Sequence, residues 1–135
     1  MPVATLSAVG AVRTFNPHSK HPARAVQAWQ ILVGRAMRGQ SLSYEDFSRL
    51  MYGKDAAGVL GGILDHVAYY CDLHRLPPLT AILVGKFPRT PGEEIPVSRQ
   101  FADADREQVF GQDWYDIYPP GEAELRHAYD TGGKG

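Results

Sequence analysis

The chain has 135 residues, 44% of them hydrophobic and 21% charged, with a net charge of −1, the profile of one soluble globular domain built on a single core. No run approaches the ~18 apolar residues of a membrane span, and the opening residues lack the basic leader and compact apolar centre of a signal peptide. The lone Cys71 excludes an internal disulfide, which fits a reducing cytoplasm. The near-zero charge conceals a polarity. Residues 1–54 carry seven Lys/Arg against Glu45 and Asp46, or +5, whereas residues 55–135 carry seven against thirteen acids, or −6. Such asymmetry points to a polyanion or a complementary protein partner, unless the halves intermix in space and their fields cancel.

In chain order, residues 1–21 read as a partly ordered arm, because Val3, Leu6, Val9, Val12 and Phe15 suit neither helical nor strand spacing. Pro22 suits the start of a helix expected over about Ala23 to Arg38, with Ala25, Trp29, Leu32, Val33 and Ala36 inward and Gly39 as terminator. Arg24, Arg35 and Arg38 then share the outward face, since spacings of eleven and fourteen are close to whole turns. Ser41 and Ser43 are both natural N-caps for a short second helix, Ser43 with Asp46 three residues on, and Glu45 and Asp46 favour its dipole.

After the turn Tyr52-Gly53-Lys54-Asp55, a long helix is expected from about Asp55 to His74. Its seam is Leu60, Ile63, Leu64, Val67, Cys71 and His74. Leu76-Pro77-Pro78 ends it. A buried strand over Thr80 to Val84, a turn-rich tip over Lys86 to Gly92 and a short returning strand at Ile95 to Val97 follow. An amphipathic helix over Ser98 to Phe110, an aromatic, acidic segment Trp114 to Pro120 and a last helix Glu122 to Tyr129 complete the domain of residues 22–130. Residues 131–135, glycine-rich, read as a disordered tail. This order of helix, turn, longer helix, strand and hairpin predicts an α+β domain with a winged-helix-like core, an N-terminal helix and a C-terminal helical extension.

Ser43-Tyr44-Glu45-Asp46-Phe47 followed by Leu60-Gly61-Gly62-Ile63-Leu64 resembles the winged-helix DNA-binding domain of the O6-alkylguanine DNA alkyltransferases and their alkyltransferase-like relatives. The resemblance covers about 50 residues and implies that scaffold, with Tyr44 near a DNA phosphate. It implies no alkyl transfer. Gly58 stands where that family carries its helix arginine, and Leu79-Thr80-Ala81-Ile82 follows Pro78 where the acceptor Cys-His-Arg motif belongs. Without a nucleophilic thiolate there is no alkyl acceptor, and Cys71 lies on the apolar seam.

Few residues suggest chemistry. Cys71 and His74 make half a zinc site with no second cysteine, so they read as a buried thiol and a core histidine. His18 and His21 read as solvated loop residues, Asp65 and His66 as surface salt-bridging groups, and no cofactor is expected. Gly58, Gly61 and Gly62 lie inside a helix, outside the strand–loop–helix setting of a phosphate loop, and suggest close approach of another backbone.

The expected role is therefore non-catalytic nucleic-acid binding through phosphates or shape. Arg24, Arg35, Arg38, Ser43, Tyr44, Lys54, Lys86 and Arg89 are the candidate contacts. The aspartate-led Asp55-Ala56-Ala57-Gly58-Val59 opening is ill suited to reading base edges. The alternative is a protein-interaction module, of adaptor, inhibitor or immunity type, that uses the acidic aromatic residues Trp114, Tyr115, Asp116 and Tyr118.

Overall fold

The computed structural model describes residues 12–16, 18–54, 59–85 and 99–132, and 69% of it is helical. The elements are α1 (His21–Met37), β1 (Leu42–Ser43), α2 (Tyr44–Tyr52), α3 (Leu60–Leu73), a 3-10 turn (Leu79–Ile82), β2 (Leu83–Val84), α4 (Arg99–Gly111), a second 3-10 turn (Trp114–Asp116) and α5 (Glu122–Gly132). The helix α5 runs three residues past its expected end.

Local chemistry sets most boundaries. Pro22 sits in the first turn of α1, where its missing N–H costs nothing. Gly39 takes a φ of +66° and Gln40 N–H closes back on the Arg35 carbonyl, so the helix ends in a left-handed cap that glycine adopts without strain. Ser43 Oγ accepts from the Asp46 N–H at 3.0 Å and opens α2, and Gly53 closes it at φ +73°. α3 stops in the same way without a glycine. Arg75 takes φ +56°, Leu76 N–H donates to the Cys71 carbonyl and Arg75 N–H to that of Asp72, and Pro77 forbids continuation.

α1, α3 and α5 pack against one another as the central layer, with α2, α4 and the first 3-10 turn set against it. The core holds Ala25, Ala28, Trp29, Leu32, Phe47, Leu60, Ile63, Val67, Cys71, Leu79, Ile82, Val109, Trp114 and Leu125. Aromatic rings tie its layers: Trp29 meets Tyr70 edge-on at 5.4 Å and Trp114 at 5.7 Å. Trp114 is anchored further by its indole N–H on the Val109 carbonyl at 2.8 Å.

The winged-helix expectation is corrected. β1 and β2 pair in parallel, Leu42 with Leu83 and Ser43 with Val84, and α2 and α3 lie between them in the chain. Parallel neighbours require a crossover and cannot form a hairpin, so the two-residue pair is a clasp between loops. The expected strand over Thr80 to Val84 shrinks because Leu79 to Ile82 coil into a 3-10 turn that buries Leu79 and Ile82 together. A short apolar run does not by itself distinguish strand from helical turn. The expected tip at 86–92, the returning strand at 95–97, the arm before residue 12 and Gly58 lie outside the described residues.

Candidate functional site

The expected row of arginines divides. Arg38 is exposed and Arg35 half-buried, but Arg24 is only 3% exposed. All three share one helical face. Arg24 lies in the first turn, however, where the end of α2 and residues 15–16 cover it. Its guanidinium donates to the Met51 carbonyl at 3.0 Å, the Gln27 side chain at 2.8 Å and the Asn16 carbonyl at 2.6 Å. The Tyr52 and Phe15 rings lie 4.3 and 5.2 Å from it. Met51 is the penultimate residue of α2, so Arg24 caps a helix C-terminus, where carbonyls lack partners and the dipole is negative. Arg24 is thus a structural cation and not a phosphate contact.

The remaining basic groups are partly offset by carboxylates. Lys54 is exposed beyond the C-terminal end of α2. Arg49 pairs with Glu45, and with Asp46 at 3.5 Å. Arg35 and Arg49 line a shallow groove of about 360 Å³ together with Ser41, Ser43 and Asp46, so the carboxylates at the start of α2 share the groove with the cations. Ser43 spends its hydroxyl on the α2 cap, and Tyr44 is half-buried against the core. Lys86 and Arg89 lie outside the described residues.

The acidic aromatic segment is better assembled. Trp114 belongs to the core, at 1% exposure, whereas Tyr115 and Tyr118 stand 69% and 93% exposed. Asp113 accepts from the Tyr115 N–H through its side chain and fixes the turn that throws Tyr115 outward. Beside these tyrosines runs an open groove of about 280 Å³ lined by Trp29, Gln30, Val33, Gly34, Ile117 and Pro119, with the edges of Trp114 and Tyr115. Among the described residues no charged side chain lines it, and Asp113 and Asp116 flank it in the chain. Residues 113–125 carry Asp113, Asp116, Glu122 and Glu124 and no basic side chain. The sequence alone concealed this groove. Trp29 and Trp114 are 85 positions apart and no local pattern couples them.

Two expectations about α3 are also corrected. His74 is exposed, because it lies past the last turn of the seam. His66, read as a surface group, is 3% exposed. Gly62, His66 and Tyr69 form a second stripe on α3 at helical spacing, and α5 covers it. The His66 ring stacks on Tyr129 at 4.2 Å and 6°, and His21 meets it edge-on at 6.2 Å. Its Nδ1 lies 2.7 Å from the Gly62 carbonyl. A carbonyl only accepts, so Nδ1 carries the proton and Nε2 a lone pair. Burial holds the His66 pKa below its ordinary value; the charges of His21 and Arg126 push the same way, and the Gly62 hydrogen bond and Asp130 oppose. The close approach expected at the α3 glycines occurs at Gly62, but a side chain makes it: a Cβ there would stand 2.6 Å from His21 Nδ1, whereas Gly61 faces open space.

Burial likewise pushes the Cys71 thiol up to about 11, which makes it a poor nucleophile at neutral pH. Among the described residues, no group of three or more His, Cys, Asp or Glu converges as metal ligands. No described helix is long and apolar enough to cross a membrane. No protein-family model, curated protein or solved structure matches the chain.

Proposed function

We propose that this chain is a non-catalytic protein-interaction module that docks a basic partner segment on its acidic aromatic face, in a cytoplasmic setting that the lone buried Cys71 suits. The observation that carries the reading is the exposure of Tyr115 and Tyr118 at 69% and 93% beside an uncharged groove. Tyrosines are efficient interface anchors, since a large amphipathic ring is immobilised at little entropic cost. Carboxylates on both sides of them, with no basic side chain across residues 113–125, favour lysine or arginine on the partner, which can also lie over the phenol faces. An apolar side chain from the same partner fits the groove between Trp29 and Ile117.

Nucleic-acid binding, the role first expected from the sequence, draws less support. Arg24 is committed to the end of α2 and Arg49 to its own helix, which leaves Arg35, Arg38 and Lys54, with Asp46 sharing the groove beside Arg35.

The test is a side-by-side titration with a labelled Lys/Arg-rich peptide carrying one tryptophan, a charge-reversed peptide of the same length, and a short DNA duplex. The basic peptide binds in the micromolar range and weakens with salt. Tyr118→Ala costs about 1 kcal/mol or more of that affinity, and Asp116→Lys lowers it further. Retention of the duplex at about 50 mM salt, lost in Arg35→Glu plus Arg38→Glu, would instead restore the nucleic-acid role. Basic-peptide binding that ignores both C-terminal substitutions would remove the proposed one.

A further inference from the structure

The seam between α3 and α5 is built around a buried base whose second ring nitrogen has no hydrogen-bond partner among the described residues. His66 lies inside it with Nδ1–H donated to the Gly62 carbonyl and Nε2 without a partner among the described residues. Tyr129 lies flat on one face of the ring, Tyr69 packs on Tyr129 at 6.0 Å, and the edge of His21 closes the side toward α1. In the neutral tautomer this arrangement is sound, because an unused lone pair on an aromatic nitrogen is tolerated in an apolar setting far better than a buried charge.

We propose that His66 is an acid-sensitive latch: protonation of its ring loosens α5 from α3, so the C-terminal helix is docked at neutral pH and opens in mild acid. The proton taken from solvent sits on Nε2. There it creates a buried N–H donor and a full charge in the interface at once, and among the described residues no acceptor is hydrogen-bonded to Nε2. The charged and titratable groups facing the ring come from three elements. His21 of α1 sets its ring edge-on to His66 and its charge disfavours a second one there. Asp65 is the neighbouring carboxylate on α3 and has a partner of its own. From α5 come Arg126 and Asp130, which pair with each other at 3.1 Å. Asp130 favours the charged ring from α5, but its hydrogen bonds go to Arg126 and not to Nε2. The protonated ring therefore has no hydrogen-bonded counter-charge among the described residues, and that buried cation weakens the docking of α5.

The inference goes beyond the docking role and does not depend on it. Its readout is amide hydrogen exchange of the whole chain at about pH 7.5 and pH 5, corrected for intrinsic exchange rates, above the range where most carboxylates titrate. The expected result is a several-fold loss of protection across α5 in acid, with α1 amides between Ala25 and Ala36 unchanged. In His66→Phe, which keeps a ring against Tyr129 but cannot take a proton, the acid loss disappears; in Asp130→Asn it deepens. Equal protection of α5 at both pH values, or the same acid loss in His66→Phe, overturns the proposal. Should His66→Phe not fold, NMR titration of the wild-type His66 ring decides. A ring that protonates together with α5 opening supports the latch, and one that protonates while α5 stays protected overturns it.

Discussion

Arg24 and His66 are two nitrogen bases, each 3% exposed and each with one ring or guanidinium nitrogen lacking a partner among the described residues, yet they are accommodated in opposite ways. A guanidinium stays charged at every pH a protein survives. The fold therefore surrounds Arg24 with what a cation needs, namely the carbonyls of Met51 and Asn16 and the faces of Tyr52 and Phe15. An imidazole can shed its charge, and the α3–α5 seam offers His66 a single carbonyl and a stacked phenol ring. The difference shows that burial of a basic side chain selects the group that suits the site. A helix C-terminus, negative and rich in free carbonyls, takes the permanent cation; a lateral helix–helix seam takes the base that can be neutral.

The contrast can be broken most directly at Arg24. Arg24→Met keeps much of the apolar stem but strands the Met51 and Asn16 carbonyls, and is expected to cost about 3 kcal/mol of unfolding free energy. Urea denaturation reads this, and a loss below about 1 kcal/mol would mean that the α2 terminus does not need the cation.

A smaller effect separates the two sites by pH. The folded pKa of His66 lies below the unfolded value of 6.5, so the unfolded chain takes up the proton first. The contribution of His66 to stability is accordingly complete above pH 6.5 and is lost as pH falls through the folded pKa, after which the curve levels. Urea midpoints measured across that window are expected to fall in the wild type and to stay flat in His66→Phe. The Arg24→Met variant retains the wild-type slope, because it leaves the α3–α5 seam around His66 in place.

The smallest expected effect concerns how tightly the seam is closed. A Cβ at Gly132 would approach Tyr69 at 2.9 Å from its ring and 3.1 Å from its Cβ, and the latter is not a flexible end. Gly132→Ala is expected to cost about 1 kcal/mol by overpacking, visible as faster hydrogen exchange in the last turn of α5. A neutral or stabilising effect would show that this end of α5 rides loosely on α3, and would sharpen the contrast with the firmly held end at Arg24.

What could be read in advance follows from the range of the forces involved. The inward stripe of α1, the Ser43 cap, the Gly39 and Gly53 stops and the Leu60–Cys71 seam depend on residues within one or two turns, and the structure carries them as expected. The helix over Arg99–Gly111 and the terminal helix belong to the same group. Expectations that depended on what lies opposite a residue fared differently. Arg24 shares its helical face with Arg38 but not its neighbours. His66 faces away from the apolar seam and is buried all the same, because α3 is covered on two sides. The segment after Pro78 has the composition of a strand, and its Leu79 and Ile82 are drawn into a 3-10 turn by the core they meet.

The order of the helices and the cap at Ser43 with the stops at Gly39 and Gly53 were written in the sequence by itself, because side-chain spacing and a few glycines, prolines and serines act on their own backbone. Which cation became internal, which histidine lost its solvent, and where an aromatic groove opened were decided by the tertiary structure alone. Those outcomes are set by contacts between residues tens of positions apart, such as Arg24 with Met51, His66 with Tyr129 and Trp29 with Trp114, and no local pattern encodes a partner at that distance.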